Sequence, residues 1–236
     1  EYEVTVQLEP STKQDGQNTS ESIFFETVCD AGHKTYTGTA RLINGPGISV
    51  ISDIDDTIKI SEVLDRKALI QNTFVKEFRD VPGMANLYRE LERSGAVFHY
   101  VSASPWQLYP PLSKFMADRG FPEGAMHLKY FRWKDTSFFN LFENPDKYKT
   151  GVLELIFNQF PDRQFILVGD SGEMDPEIYG KLAVKYPGNV KKILIRNVHS
   201  DTAGRGRYER AFAGVPGNKW SIFGHAEEIN ALDISQ

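Results

Sequence analysis

Ile48-Ser49-Val50-Ile51-Ser52-Asp53-Ile54-Asp55-Asp56-Thr57-Ile58 runs a short apolar stretch straight into three carboxylates. The first part, Ile48 to Ile54, reads as a buried β-strand, because β-branched residues suit a pleated surface. Asp55 to Ile58 then form the loop at its end. In open α/β sheets ligands bind beyond the carboxyl ends of the strands. Clustered aspartates at such an edge repel one another unless a cation or a shared proton relieves them. The stretch therefore marks both a central strand and a place for chemistry.

The same pattern recurs downstream. Ala96 to Ser102, Ala125 to Tyr130, Gln164 to Gly169 and Val190 to Arg196 are short runs rich in Val, Ile, Leu or aromatics. Between them, Pro82 to Arg93 sets Met84, Leu87, Tyr88 and Leu91 on one helical face and stops at Ser94-Gly95. Leu108 to Arg119 repeats the arrangement with Leu112, Phe115 and Met116 and ends at Gly120, a residue suited to a helix C-terminus. Asp146 can cap a helix running to Gln159, and Pro176 suits the first turn of one ending near Tyr186-Pro187-Gly188. Strand and helix in alternation predict a doubly wound, mainly parallel α/β sheet of about five strands. Upstream, Tyr2 to Leu8, Ser22 to Val28 and Lys34 to Leu42 alternate as a small antiparallel β module would. Asn44-Gly45-Pro46-Gly47 is the breaker, so a β-rich module over 1–46 and an α/β domain over 47–236 are expected.

At 236 residues with 40% hydrophobic and 12% aromatic content, the chain can bury a sizeable core. Its net charge of −5 argues against a general nucleic-acid binder, which neutralises many phosphates with Lys and Arg. No apolar run approaches the ~20 residues that span a bilayer. Glu1 to Leu8 has the alternation of a strand and not the form of a signal peptide. Without an initiator methionine, the chain reads as a piece of something longer. The one cysteine, Cys29, excludes an internal disulfide, fits a reducing, cytoplasmic compartment, and is expected in the core. The histidines show no metal-ligand spacing, and His99 and His225 read as structural, His99 as a satisfied core group.

Four polar signals fall at strand ends or at the start of a helix. These are Asp53/Asp55/Thr57, then Ser102 and Ser104, then Lys149, then Asp170/Asp175 within Val168-Gly169-Asp170-Ser171-Gly172-Glu173-Met174-Asp175. All converge on one sheet edge. Carboxylates, hydroxyls and a lysine brought together are what metal-assisted phosphoryl transfer needs, since that reaction depends on positioning and charge neutralisation. Asp53 and Asp55 lie two apart and project to one side while strand geometry persists, so one can attack phosphorus while the other handles protons. Asp170 can hold Mg²⁺ with Asp53. Lys149 supplies fixed positive charge, and Ser102 can donate to a phosphoryl oxygen.

Asp53-x-Asp55-x-Thr57, Ser102, Lys149 and Gly169-Asp170-x-x-x-x-Asp175 resemble the four ordered motifs of the haloacid dehalogenase superfamily. The strings ISDIDDTIK, YVSASPWQL and LVGDSGEMDPEIY resemble the actin-patch-protein type of Mg²⁺-dependent phosphatidate phosphatase, over roughly residues 47 to 225. That resemblance implies a haloacid-dehalogenase-like fold with Asp53 as the nucleophile of an aspartyl-phosphate. Asp55 would protonate the leaving alkoxide and later deprotonate water. Mg²⁺ would sit on Asp53, the backbone carbonyl of Asp55, and Asp170, with Asp175 in support. Thr57, Ser104 and Arg196 are the candidates for ordering or contacting substrate. An acid at position 55 favours hydrolysis over the pumps and dehalogenases of that superfamily. The implied substrate is phosphatidate, a phospholipid, which would bring peripheral membrane contact.

Plainer readings stand beside these. A calcium loop starting at Asp53 would put Ile58 where glycine is wanted and Leu64 where the bidentate glutamate is wanted. Asp56 reads as a solvated or turn-forming neighbour, Ser104 as a possible helix cap before Pro105, and Asp175 as a possible cap for the helix at Pro176. Lys147 rivals Lys149. Tyr130-Phe131-Arg132-Trp133-Lys134 with Phe138 to Phe142 could meet lipid or fill the core, and Arg196, Arg205, Arg207 and Arg210 could meet an anionic head group or form a solvated face. Neither the interval Ser61 to Asp80 nor that between Ser102 and Lys149 holds a large cap domain, which leaves the site open. A soluble phosphomonoester, a phosphoprotein, or an adaptor with a vestigial enzyme domain are the competing functions.

Overall fold

Residues Gly47–Asp53 form a strand whose last five residues are buried, on both faces, as a strand covered by helices on either side must be. The computed structural model describes residues 21–29, 34–61, 78–129, 145–198 and 205–235. The chain divides into two compact units, Glu1–Asn44 and Gly45–Gln236.

In the first unit, β1 (Glu21–Cys29) pairs antiparallel with β2 (Lys34–Leu42), Glu21 opposite Leu42 and Cys29 opposite Lys34. The expected strand Tyr2 to Leu8 and the burial of the Cys29 side chain lie outside the described residues.

The second unit holds β3 (Gly47–Asp53), α1 (Met84–Arg93), β4 (Val97–Pro105), α2 (Tyr109–Arg119), β5 (Gly124–Lys129), α3 (Pro145–Gln159) and β6 (Arg163–Asp170). It continues with α4 (Asp175–Lys185), β7 (Val190–Arg196), α5 (Arg205–Ala211), β8 (Trp220–Phe223) and α6 (Ala231–Ser235). The six strands lie in the order β5-β4-β3-β6-β7-β8 and every pair is parallel. From β3 the chain moves to β4 on one side, and from β5 it crosses to β6 on the other. The strand order thus reverses at β3, the switch point at which α/β sheets open a crevice.

The period of two along β3 decides which core each residue enters. Val50 joins Tyr88, Leu91, Phe98, Leu112 and Ile166 on the face covered by α1 and α2. Ile51 joins Leu153, Phe157, Tyr179, Leu182 and Tyr208 on the face covered by α3, α4 and α5. The sequence predicts five of these strands, and β8 is a sixth. At four residues it is too short to display an alternation.

Element ends shift in ways the capping chemistry explains. α1 starts at Met84 and not at Pro82, because Gly83 takes a left-handed conformation (φ 80°). A 3₁₀ turn, Trp106–Leu108, precedes α2, which ends at left-handed Gly120 as expected. α3 begins at Pro145, so Asp146 lies inside the first turn and does not cap from outside. There its charge still complements the helix dipole. Pro176 opens α4 as expected. His225 closes a capping box with Glu228 on the 3₁₀ turn Ala226–Glu228, a structural role. The aromatic and cationic loop from Tyr130 to Phe142 and most of the interval after Ser61 lie outside the described residues.

Candidate active site

Asp53 ends β3, and the chain turns at once. The amides of Ile58 and Lys59 both donate to the Ile54 carbonyl, at 3.1 and 3.0 Å, and the Asp56 amide donates to the Lys59 carbonyl at 2.7 Å. Closing this loop puts Asp56 in the left-handed region (φ 53°), which aspartate tolerates better than most residues. Asp56 forms the turn, one of its two expected roles, but is not solvated. It is buried, its Oδ1 accepts the Ser61 amide at 2.7 Å, and its carbonyl accepts Arg196 Nη1 at 2.6 Å. Arg196 therefore ties the end of β7 to the loop after β3. Thr57 is fully buried, and its Oγ1 has no partner among the described residues.

Lys149, on α3, reaches under this loop with 4% of its surface exposed. Its Nζ lies 2.8 Å from Asp53 Oδ1 and 3.3 Å from Glu173 Oε2, and it bonds Asp175 Oδ1 closely. Lys147 is exposed on the same helix, so the rivalry between the two lysines is decided by burial. At the end of β6, Asp170 Oδ1 accepts the amides of Gly172 and Glu173, while the Asp170 amide donates to Asp175 Oδ2 at 3.2 Å. Asp175 does not cap α4. Met174 holds the cap position, with no side-chain cap bond. Gly169 has to be glycine here, because a Cβ would run into the Asp175 carboxylate.

Asp53, Asp170 and Asp175 each offer an oxygen within 4.8 Å of the others, and all three are buried. Asp53 Oδ2 and Asp170 Oδ2 are buried without a partner among the described residues. Burial raises the Asp53 carboxyl well above its usual range, Lys149 opposes this, and Asp175, Glu173 and Asp170 raise it further. Burial, Asp175 and Glu173 likewise raise Asp170. Burial disfavours the charge on Lys149, but Asp175, Asp53 and Glu173 outweigh it and keep the ammonium charged. Three carboxylates thus share one ammonium, with Asp170 beside them. Unpaired carboxylate oxygens in a buried, over-negative pocket fit a hard divalent cation, which takes oxygen ligands and supplies the missing charge.

Asp55 sits in a different environment. Lys59 Nζ lies 2.7 Å from its Oδ1, with Ser61 Oγ donating to the same oxygen at 2.6 Å. Ser102 Oγ and Ser104 Oγ donate to its Oδ2 at 3.0 and 3.1 Å. The two serines share a side because they lie two apart on β4. Burial pushes the Asp55 carboxyl up, but the Lys59 charge and the hydrogen bonds from Lys59, Ser61 and Ser102 win and hold it at about 2. Ser104 is therefore no helix cap, and Ser102, expected to face a phosphoryl oxygen, spends its hydroxyl proton on Asp55. Lys59, Ser61 and Glu173 are members of the site that the sequence does not single out. Lys59 follows Asp55 by four positions, but in a loop that spacing carries no signal.

Two further expectations change. Arg207, expected with its neighbours at a head group or on a solvated face, is committed to the chain itself, on Ser171, Glu173 and Glu177. Arg210 is exposed, and the Arg205 side chain lies outside the described ones. His99 is buried as expected but is not satisfied: neither ring nitrogen has a partner among the described residues.

Residues 48–197 match the profile of the phosphatidate phosphatase APP1 catalytic domain. The chain is 35% identical over 164 residues to phosphatidate phosphatase APP1 of Saccharomyces cerevisiae, covering 68% of this chain and 27% of that protein. It is 33% identical over 175 residues to an uncharacterized protein of Schizosaccharomyces pombe, covering 72% of this chain and 28% of that one. The match thus spans less than a third of either relative. A solved Thermotoga maritima protein assigned as a beta-phosphoglucomutase aligns with 78% of this chain and 98% of its own at 14% identity and a TM-score of 0.46, a likeness too loose to bear on the fold. The profile match contains Asp53, Asp55, Ser102, Lys149, Asp170 and Asp175, and with it the chain belongs to the family of phosphatidate phosphatase APP1 catalytic domains.

Proposed function

We propose that this chain is a Mg²⁺-dependent phosphatase that converts phosphatidate to diacylglycerol and phosphate through an aspartyl-phosphate on Asp53. The observation that carries the reading is the state of one carboxylate. Asp53 Oδ1 is held 2.8 Å from Lys149, and Oδ2 is buried and unpartnered beside Asp170 and Asp175. A buried carboxylate oxygen without a partner is costly unless function uses it.

Asp53 attacks phosphorus, and the ester oxygen leaves. Lys149 holds positive charge beside the carboxylate that attacks and the phosphoryl oxygens brought to it. Asp55 rests ionised, so in this cycle it takes up a proton as substrate binds and passes it to the leaving alkoxide. A water then attacks the aspartyl-phosphate. Its proton returns by the same route, phosphate leaves, and Asp53 is restored. Ser102 and Ser104 keep the Asp55 carboxylate aimed, and Arg196 keeps the loop in place. Mg²⁺, held by Asp53, Asp170, Asp175 and the Asp55 carbonyl, supplies when bound the charge neutralisation on which phosphoryl transfer depends.

The family and the yeast relative's name support phosphatidate. A surface feature agrees: Trp106 and Tyr109, 45% and 40% exposed, stack at 4.9 Å between centroids in the turn directly after Ser104-Pro105. Amphipathic rings suit a lipid–water interface. The same reading makes residues 1–46 a separate β module, 47–236 the catalytic domain, and the enzyme a cytoplasmic one that reaches membranes peripherally. No described helix is long and apolar enough to cross a membrane.

The test is phosphate release from phosphatidate in mixed micelles, with Mg²⁺ or chelator, beside a panel of soluble phosphomonoesters. Asp53→Asn is expected to lower turnover by at least about 10³-fold. Full activity in that variant would sink the mechanism, and faster turnover of soluble esters would sink the substrate.

A further inference from the structure

Arg207 lies ten positions beyond the last residue of the family match, on α5. α5 packs against α4 with backbone contact, since a Cβ on Gly180 would collide with the Ala211 carbonyl. That approach delivers the Arg207 guanidinium to the loop after β6. Nη1 donates to the Ser171 carbonyl at 2.6 Å and Nη2 to the Glu173 carbonyl at 2.6 Å. Nε and Nη2 also grip Glu177 on α4, at 2.8 and 2.9 Å. The planar fork is thereby fixed in direction as well as in place.

The Ser171 carbonyl and the Gly172 amide belong to one peptide plane and point in opposite directions from it. Arg207 holds the carbonyl, and Asp170 Oδ1 receives the amide of the same unit. The plane is clamped between them. The Glu173 amide adds a second bond to Asp170 Oδ1, at 3.3 Å. With Oδ1 occupied in this way, Asp170 Oδ2 is left buried and unpartnered. Groups that hydrogen-bond a ligand carboxylate from behind fix its orientation, and losing one typically costs about 10- to 100-fold in metal affinity.

We infer that Arg207 is a positioning residue for the divalent cation, aiming the free Asp170 oxygen through the Ser171–Gly172 peptide. The inference rests on the proposed Mg²⁺ site, and it makes that site depend on a helix outside the family match.

The experiment measures Mn²⁺ binding by electron paramagnetic resonance on the full chain without substrate, for the native protein, Arg207→Ala, Arg207→Lys and Glu177→Gln. Melting in chelator checks folding. Arg207→Ala is expected to weaken binding about 10- to 100-fold. Arg207→Lys, which keeps the charge but lacks the planar fork that takes both carbonyls and Glu177 together, should fall between it and the native protein. Glu177→Gln weakens only the grip that aims the fork, so it should show a smaller loss in the same direction. That milder, isosteric change also carries the test if Arg207→Ala does not fold. At saturating metal, KM for phosphatidate should be unchanged in each. Native-like Mn²⁺ affinity in the folded Arg207 variants overturns the inference and leaves the proposed function standing. Absence of binding in the native protein overturns both.

Discussion

Lys59 is 1% exposed, and its Nζ lies 2.7 Å from Asp55 Oδ1 and 5.0 Å from the centre of the Phe78 ring. Removing one partner of a buried pair strands the other's charge, which costs about 3–5 kcal/mol. Lys59→Met is therefore expected to lose that much in denaturant unfolding, and the double change with Asp55→Asn to recover most of it. A single variant within about 1 kcal/mol of the native protein would contradict this account. Asp53, Lys149 and Asp170 are legible in the sequence because their order along the chain matches strand ends that any doubly wound sheet brings together. Lys59 is not, since its partner is chosen by the turn at Ile54. The burial of Asp56 escapes a sequence reading for the same reason: its carboxylate faces inward only because the loop folds back on itself.

β4 and β5 carry His99 and His127, whose rings stack at 5.9 Å, with Phe160 5.5 Å from His99. Burial, then His127 and Arg163, depress His99 from 6.5 to about 3. A base depressed on folding binds its proton in the unfolded chain first. Its contribution is therefore intact above about pH 6.5 and is lost as pH falls toward 3, by up to about 1.4 kcal/mol per pH unit. Between pH 6.5 and 5 the native protein should lose about 2 kcal/mol that His99→Phe keeps. Unfolding free energies of both proteins at the two pH values check this, since all other titrating groups are common to them. Equal slopes would mean that His99 is protonated in the fold. At this scale the five longer strands of the sheet and helices α1 to α4 are readable from sequence, because each is long enough to show its period. β8, α5 and α6 are not. They span four, seven and five residues, and their register comes from the edges against which they pack.

Across the whole sheet, the reversal of strand order at β3 gathers the ends of β3, β4 and β6 with the start of α3 into one site. The Trp106–Tyr109 pair comes directly after that site's serines, so a lipid reading makes a prediction about the whole molecule. Trp106→Ala should cut turnover of phosphatidate in vesicles by about tenfold or more, since withdrawing a large ring from a lipid interface costs about 1.5–3 kcal/mol. Turnover of a short-chain, monomeric phosphatidate should be unchanged. Equal losses on both substrates would make Trp106 part of the fold and not of the membrane contact. The sequence by itself determined the class of sheet, the strand ends that carry acid, hydroxyl and lysine, and the order in which they meet, because apolar period and strand-end polarity are local properties. Only the tertiary structure decided which carboxylate is paired and which is left open. It set Asp55 on Lys59 and three serines, left Asp53 and Asp170 each with a free buried oxygen, and brought Arg207 to the loop behind them. Those outcomes depend on directions in space between residues far apart in the chain, and spacing along the chain encodes a direction only within one element.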